Sequence, residues 1–182
     1  MRGTLILTEA LERFRAYKAL AEKSVAQVSD EEFFRQIDAE SNSIALMLKH
    51  LAGNLRSRWR DFLTTDGEKA DRDRDGEFVT EASDSRASLE ARWQDAWAIT
   101  FASLEKLSDK DLQREVRIRG EPHTILRAIN RNLTHLVYHV GQITFLAKHL
   151  TGARWQTLSI PLNRDRPMEQ IAESTERKTR PR

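Results

Sequence analysis

The sequence predicts an all-α protein, a four-helix bundle, from three observations. Four long stretches carry apolar side chains at the three-to-four-residue spacing of an amphipathic helix. Only seven glycines and four prolines interrupt 182 residues, which disfavours a turn-rich β architecture. With 39% hydrophobic and 32% charged residues, the chain can fill one core and still solvate its outer faces. One domain is therefore expected, the bundle over residues 1–162, followed by a charged, apolar-poor tail over 163–182 that is expected to be disordered.

The first helix is expected from Thr4 to Ala26, with Leu7, Leu11, Phe14, Tyr17 and Leu20 on one face and Glu12, Arg15 and Lys18 on the other. Ser29 and Asp30 ahead of Glu31 and Glu32 form a helix-start signal for a short connecting turn through Phe33 and Phe34. Asn42 or Ser43 can cap a second helix running to about Thr64, which carries Ile44, Met47, Leu48, Leu51, Leu55, Trp59 and Phe62. The stretch TDGEKADRDRDGEFVT that follows is polar and aperiodic, and reads as an exposed loop making a long crossover between the second and third helices. A third helix is expected from Ser83 to Leu107, with Leu89, Trp93, Ala96, Trp97, Phe101 and Leu104 inward. From Leu112 to Thr124, Val116 and Ile118 alternate with arginines around Gly120, which predicts a small extended hairpin. The fourth helix follows from Thr124 to Leu150, with Ile125, Ile129, Leu136, Val140, Ile143 and Leu146 at helical period and no interior proline. Trp59, Trp93 and Trp97, with Phe62 and Phe101, are expected in the core rather than around a substrate.

The chain has no cysteine, which excludes disulfides, thiolate zinc sites and a protein thiol nucleophile. Any thiol chemistry must therefore use the sulfur of a small molecule. No apolar run approaches the roughly 20 residues needed to cross a bilayer, and the start MRGTLILTEALERF lacks the apolar region and cleavage site of a signal peptide, so a cytoplasmic protein is expected. Thirty basic and 28 acidic residues leave a net charge of +2 with the signs interspersed, so no nucleic-acid partner is expected.

Histidines carry the chemistry. His135 and His139 are four residues apart, so they share a helix face and can present both imidazoles to one cation. Their stripe runs back through Asn132 and Ala128 and on to Ile143 and Leu146, and so points inward. His50 lies on the second helix between Met47 and the Gly53–Asn54 pair, where the stripe narrows enough for a cavity. Three neutral imidazoles would leave a divalent ion with its full charge and an open position, the pattern of a catalytic site. Zinc and nickel suit such ligands, and iron is compatible. Asn54 and Gln142, about one turn beyond ligand positions, are candidates to orient a bound water or an imidazole. His123, after Pro122, and His149, in the last turn of the helix, are not the ligands of choice. Asp71, Asp73, Asp75 and Gly76 match half of a calcium-binding loop, but the glutamate required six positions after the glycine is Ala82, so a solvated, self-paired charge loop is expected. Arg56 and Arg60 could receive an anionic substrate if they faced the site, although surface ion pairs are the expectation.

The segments SNSIALMLKHLAGNLRSRWRDFLTTDGEK and LTHLVYHVGQITFLAKHL, with RIRGEPHTILRAINR and WQTLSIP, give the chain a resemblance to the DinB-like superfamily over residues 4–162. Within it, the chain is most similar to a bacterial subgroup of small proteins with no settled reaction. The resemblance implies a four-helix bundle with a long crossover, often a homodimer, whose metal ligands would be His50, His135 and His139. It also implies the chemistry of thiol S-transferases or thiol-dependent isomerases, in which the metal holds a low-molecular-weight thiol. The expectation is a metal-dependent enzyme, S-transferase-like or hydrolase-like, that activates such a thiol or water for transfer to a small electrophile. The alternative is a non-catalytic, stress-related interaction module with a structural or vestigial metal site.

Overall fold

Helix caps written into the sequence set the element order. The computed structural model describes residues 5–160; the start at Thr4 and the charged tail expected from 163 lie outside the described residues. Helix α1 spans Leu5–Val25, and the short α2 spans Asp30–Phe34. Ser29 closes a capping box with Glu32 at the start of α2, each side chain bonding the other's backbone amide. Helix α3, Ile44–Trp59, starts at Ser43, whose hydroxyl accepts from the Leu46 amide. Helix α4 spans Arg86–Leu104 and α5 spans Ile125–Thr151. Before α5, β1 (Glu115–Ile118) and β2 (Glu121–Thr124) form the antiparallel hairpin, with Val116 opposite His123. The protein is thus an all-α bundle with one small hairpin, and no described helix is long and apolar enough to cross a membrane.

Helix α3 packs against α4 and α5, and α5 also packs against α1. Phe14, Trp59, Trp93 and Trp97 are fully buried at the centre, Phe14 meeting Trp59 and Trp97 edge-on at 6.3 and 6.0 Å. The tryptophans are core, as expected.

Boundaries of the second and third helices differ from the periodicity, the third also stopping at Leu104 rather than Leu107. The second helix ends at Trp59 rather than near Thr64, because Arg60 is extended and Asp61 adopts φ 49°. Phe62 still reaches the core from this turn, its ring 5.1 Å from Trp59, so its apolar character mimicked another helical turn. The third helix begins after Ser85, not Ser83, with Ser85 and Ser88 capping each other. Asp84 is withdrawn from the cap and buried, accepting from Lys49 Nζ at 2.8 Å and the Glu81 amide at 3.0 Å.

The largest departure concerns the crossover, expected to be an exposed, solvated loop. Asp66 accepts from the amides of Arg119 and Gly120 at 2.8 and 2.7 Å, the two positive-φ residues of the hairpin turn. The Gly67 amide donates to the Arg117 carbonyl at 2.7 Å, which ties the loop to the hairpin a second time. Held there, the chain lays the short 3-10 turn Gly76–Phe78 on α3 and buries Arg72 and Glu77.

Candidate metal centre

Two facing helices carry the groups of this centre: His50, Asn54 and Arg58 at four-residue steps on α3, and Arg131, Asn132, His135 and His139 within two turns and a fraction of α5. The helices run antiparallel across this contact, so the positions meet in three rungs. Histidines occupy the first rung, asparagines the second and arginines the third.

In the histidine rung, His50 Nε2 lies 3.1 Å from His135 Nε2, and one nitrogen from each of His50, His135 and His139 falls within 4.8 Å of the others. The ring centroids are 4.7 to 5.1 Å apart in every pairing. Two imidazole nitrogens on a tetrahedral zinc at 2.0–2.1 Å sit about 3.3 Å apart. Three histidines at this spacing form a group able to hold a metal ion.

The far sides of two rings are tied. His50 Nδ1 lies 2.8 Å from Glu77 Oε2, and His139 Nδ1 lies 2.8 Å from Gln142 Oε1. Each acceptor requires the proton on Nδ1, which leaves Nε2 with a lone pair for a cation. Gln142, a candidate orienting residue from the sequence, thus fixes the His139 ring. Buried His135 Nδ1 has no hydrogen-bond partner. Burial, reinforced by His139 and His50, pushes the His135 imidazole down to about 3. Burial and His50 also lower His139, against the opposing bond from Gln142. At neutral pH both are neutral, the form that ligates metals.

Glu77 is the residue that the sequence reading missed. It sits beside His50 with only 6% of its surface exposed, gripped by Arg72 through Nε to Oε1 at 2.8 Å and Nη2 to Oε2 at 2.7 Å. Arg72 also donates to Glu68 at 3.1 Å. Burial alone would raise the Glu77 carboxyl, but its bonds to His50 and Arg72 and the Arg72 charge outweigh burial and hold it below the ordinary value. The approach depends on Gly53, since a Cβ there would lie within 2.6 Å of Glu77 Cδ. A glycine inside a helix, one turn after a candidate ligand, was the available signal, because it costs about 1 kcal/mol relative to alanine and wants a reason.

In the second rung, Asn132 Nδ2 donates to Asn54 Oδ1 at 2.8 Å, and Asn132 Oδ1 accepts from Trp59 Nε1 at 2.9 Å. Asn54 therefore borders the cleft, and its hydrogen-bond partner there is Asn132 rather than a histidine. In the third rung, Arg58 is buried with Nε and Nη1 unpartnered, and burial, with the neighbouring Arg131 charge, pushes its guanidinium down to about 10. Arg131 donates to His123 Nε2 at 3.2 Å. The three rungs line a cleft of about 320 Å³, roofed by Phe78, whose ring lies 4.6 Å from that of His50.

The other candidates fall outside the centre. His123 is buried in β2, and His149 is exposed on α5. Arg60 pairs with Asp71 at 2.6 Å, and neither Arg56 nor Arg60 lines the cleft. Asp73 accepts from the Gly76 amide at 3.0 Å, which makes it a turn residue. The charge loop is self-paired, as expected, but its inner members are buried against the histidines.

A family model described as "Protein of unknown function (DUF1572)" matches residues 2–164, nearly the whole chain. No curated protein and no solved structure matches the chain.

Proposed function

The chain belongs to the DUF1572 family, and from that premise and its histidine centre we propose a metal-dependent enzyme of the DinB-like superfamily. The bundle with its long crossover and the three clustered histidines support the superfamily assignment. The ligands of this reading are His50, His135 and His139, and the ion is zinc or nickel, with iron also compatible. The observation that carries the reading is the Nδ1 partnering of His50 and His139, which aims two lone pairs into one cleft.

A bound divalent ion supplies Lewis acidity and lowers the pKa of a coordinated thiol or water. The protein's own groups do the rest. Glu77, anchored by Arg72, holds the His50 ring and makes its imidazole a stronger donor. Gln142 holds His139. Phe78 and the half-buried setting of His135 and His139 restrict water without closing the site. An opening beside three imidazole donors favours a reactive site over a closed structural one. The reaction of this reading is attack by a low-molecular-weight thiol, or by water, on a small electrophile. The three histidines are ligands and not general bases.

We further infer a cytoplasmic homodimer. Tyr138 and Phe145, 63% and 71% exposed and seven residues apart on α5, are the apolar surface that a second copy would cover.

The activity is tested by incubating the zinc- or nickel-loaded protein with low-molecular-weight thiols and an aryl halide electrophile. Conjugation that is lost in His139→Ala supports the reading; conjugation equal in both proteins refutes it.

A further inference from the structure

We propose that the arginine rung binds the carboxylate or phosphate of a small anionic substrate whose other end lies at the histidines. The proposal deepens the enzyme reading and rests on it for the role of the histidine end.

Arg58 carries it. The residue is 6% exposed and lines the cleft, yet its Nε and Nη1 have no partner. Among the described residues, no carboxylate lies within ion-pair distance of Arg58 or Arg131. The fold does supply acids to a cleft arginine elsewhere, since Arg72 is matched by both Glu77 and Glu68. Two unmatched guanidiniums in one cleft repel each other, and a buried charge without a counter-ion is costly. An oxyanion would relieve both, because a guanidinium presents parallel donors that fit carboxylate and phosphate oxygens.

The rungs also set the size. Each step of four residues advances about 6 Å along a helix, so Arg58 is about 12 Å from His50 along α3, and Arg131 is about 6 Å from His135 and about 12 Å from His139 along α5, before the side chains lean together. A cleft of about 320 Å³ is at the small end of ligand sites. The occupant is thus a short molecule with an oxyanion at one end, a group for the histidine centre at the other, and a middle facing the neutral asparagines. Arg131 is exposed and reachable, and its bond to His123 leaves other donors free for a ligand.

The test is isothermal titration of the full chain, with and without zinc, using inorganic phosphate and succinate as probes. Variants are Arg58→Met, which keeps the bulk without the charge, and Arg131→Gln, whose exposed position safeguards folding. The expected result is that at least one probe binds wild type and that each variant weakens it about tenfold or more, as loss of a charged hydrogen bond implies. Zinc uptake should remain equal in all three proteins. A stronger response to phosphate or to succinate identifies which oxyanion the substrate carries. If neither probe binds, or if both variants bind them as wild type does, the proposal is overturned. Zinc binding without anion binding sinks this proposal alone; arginine-dependent anion binding without zinc uptake sinks the metal reading and leaves the anion site standing.

Discussion

Replacing Glu77 by glutamine removes one negative charge from a position that joins the crossover loop to the histidine centre. The side chain is 7% exposed and accepts from His50 Nδ1 at 2.8 Å and from Arg72 at 2.8 and 2.7 Å. Glutamine keeps one carbonyl acceptor but turns its amide against either Arg72 or His50. Breaking a buried pair on one side costs about 3–5 kcal/mol, and the remaining contact of Arg72 with Glu68, at 3.1 Å, places the expectation near the lower figure. For a chain of this size each kcal/mol moves Tm by about 2–4 °C, so metal-free Glu77→Gln should melt about 6–12 °C below wild type. Loss of a partner behind a ligating histidine costs about 10–100-fold in metal affinity. Circular-dichroism melts of the apoprotein and calorimetric zinc titrations read the two effects separately. A variant that melts with wild type and binds zinc equally would refute the placement of Glu77 behind His50.

Three further outcomes follow from the same geometry. Gly53→Ala should lower both Tm and zinc affinity despite alanine's better helix propensity, because its Cβ displaces the Glu77 carboxylate; a higher Tm with unchanged affinity would contradict the close approach. The apoprotein should lose stability as pH falls from about 6.5 toward 3, since His135 takes up its proton in the unfolded chain near the ordinary histidine value but in the folded chain only near 3. The lowered Glu77 carboxyl acts in the same direction, so urea midpoints that stay level or rise on acidification would contradict both burials. Phe145→Glu should convert a dimer to a monomer in light scattering without changing the far-UV spectrum; an unchanged dimer would exclude this face of α5.

The helices were legible because period, caps and punctuation agree locally. Ser29 with Glu32, Ser43 before Ile44, and the hairpin around Gly120 all have the roles their chemistry suggests. The second helix overran because Phe62 continues the apolar period after Arg60 has left the helix, a distinction set by packing on Trp59. The histidines could be read because spacing on one helix is a local property. Glu77 and Arg72 could not, since an acid–base string in an aperiodic loop looks the same whether solvated or folded inward. Only the ties of Asp66 and Gly67 to the hairpin, 50 to 54 residues away, decide it. The arginine rung had the same four-residue spacing as the histidines, but Arg58 and Arg131 lie on different helices and gain meaning only when those helices face each other. Attention to Arg56 and Arg60 instead missed the register by half a turn.

Metal content with donor identity tests the centre most directly. After reconstitution and desalting, elemental analysis should find one equivalent of zinc or nickel per chain, and X-ray absorption should show imidazole nitrogen ligation. His135→Ala and His139→Ala should each lose the metal while retaining the helical spectrum. A folded wild-type chain that retains no metal, or a metal that persists in both variants, would contradict the three-histidine centre.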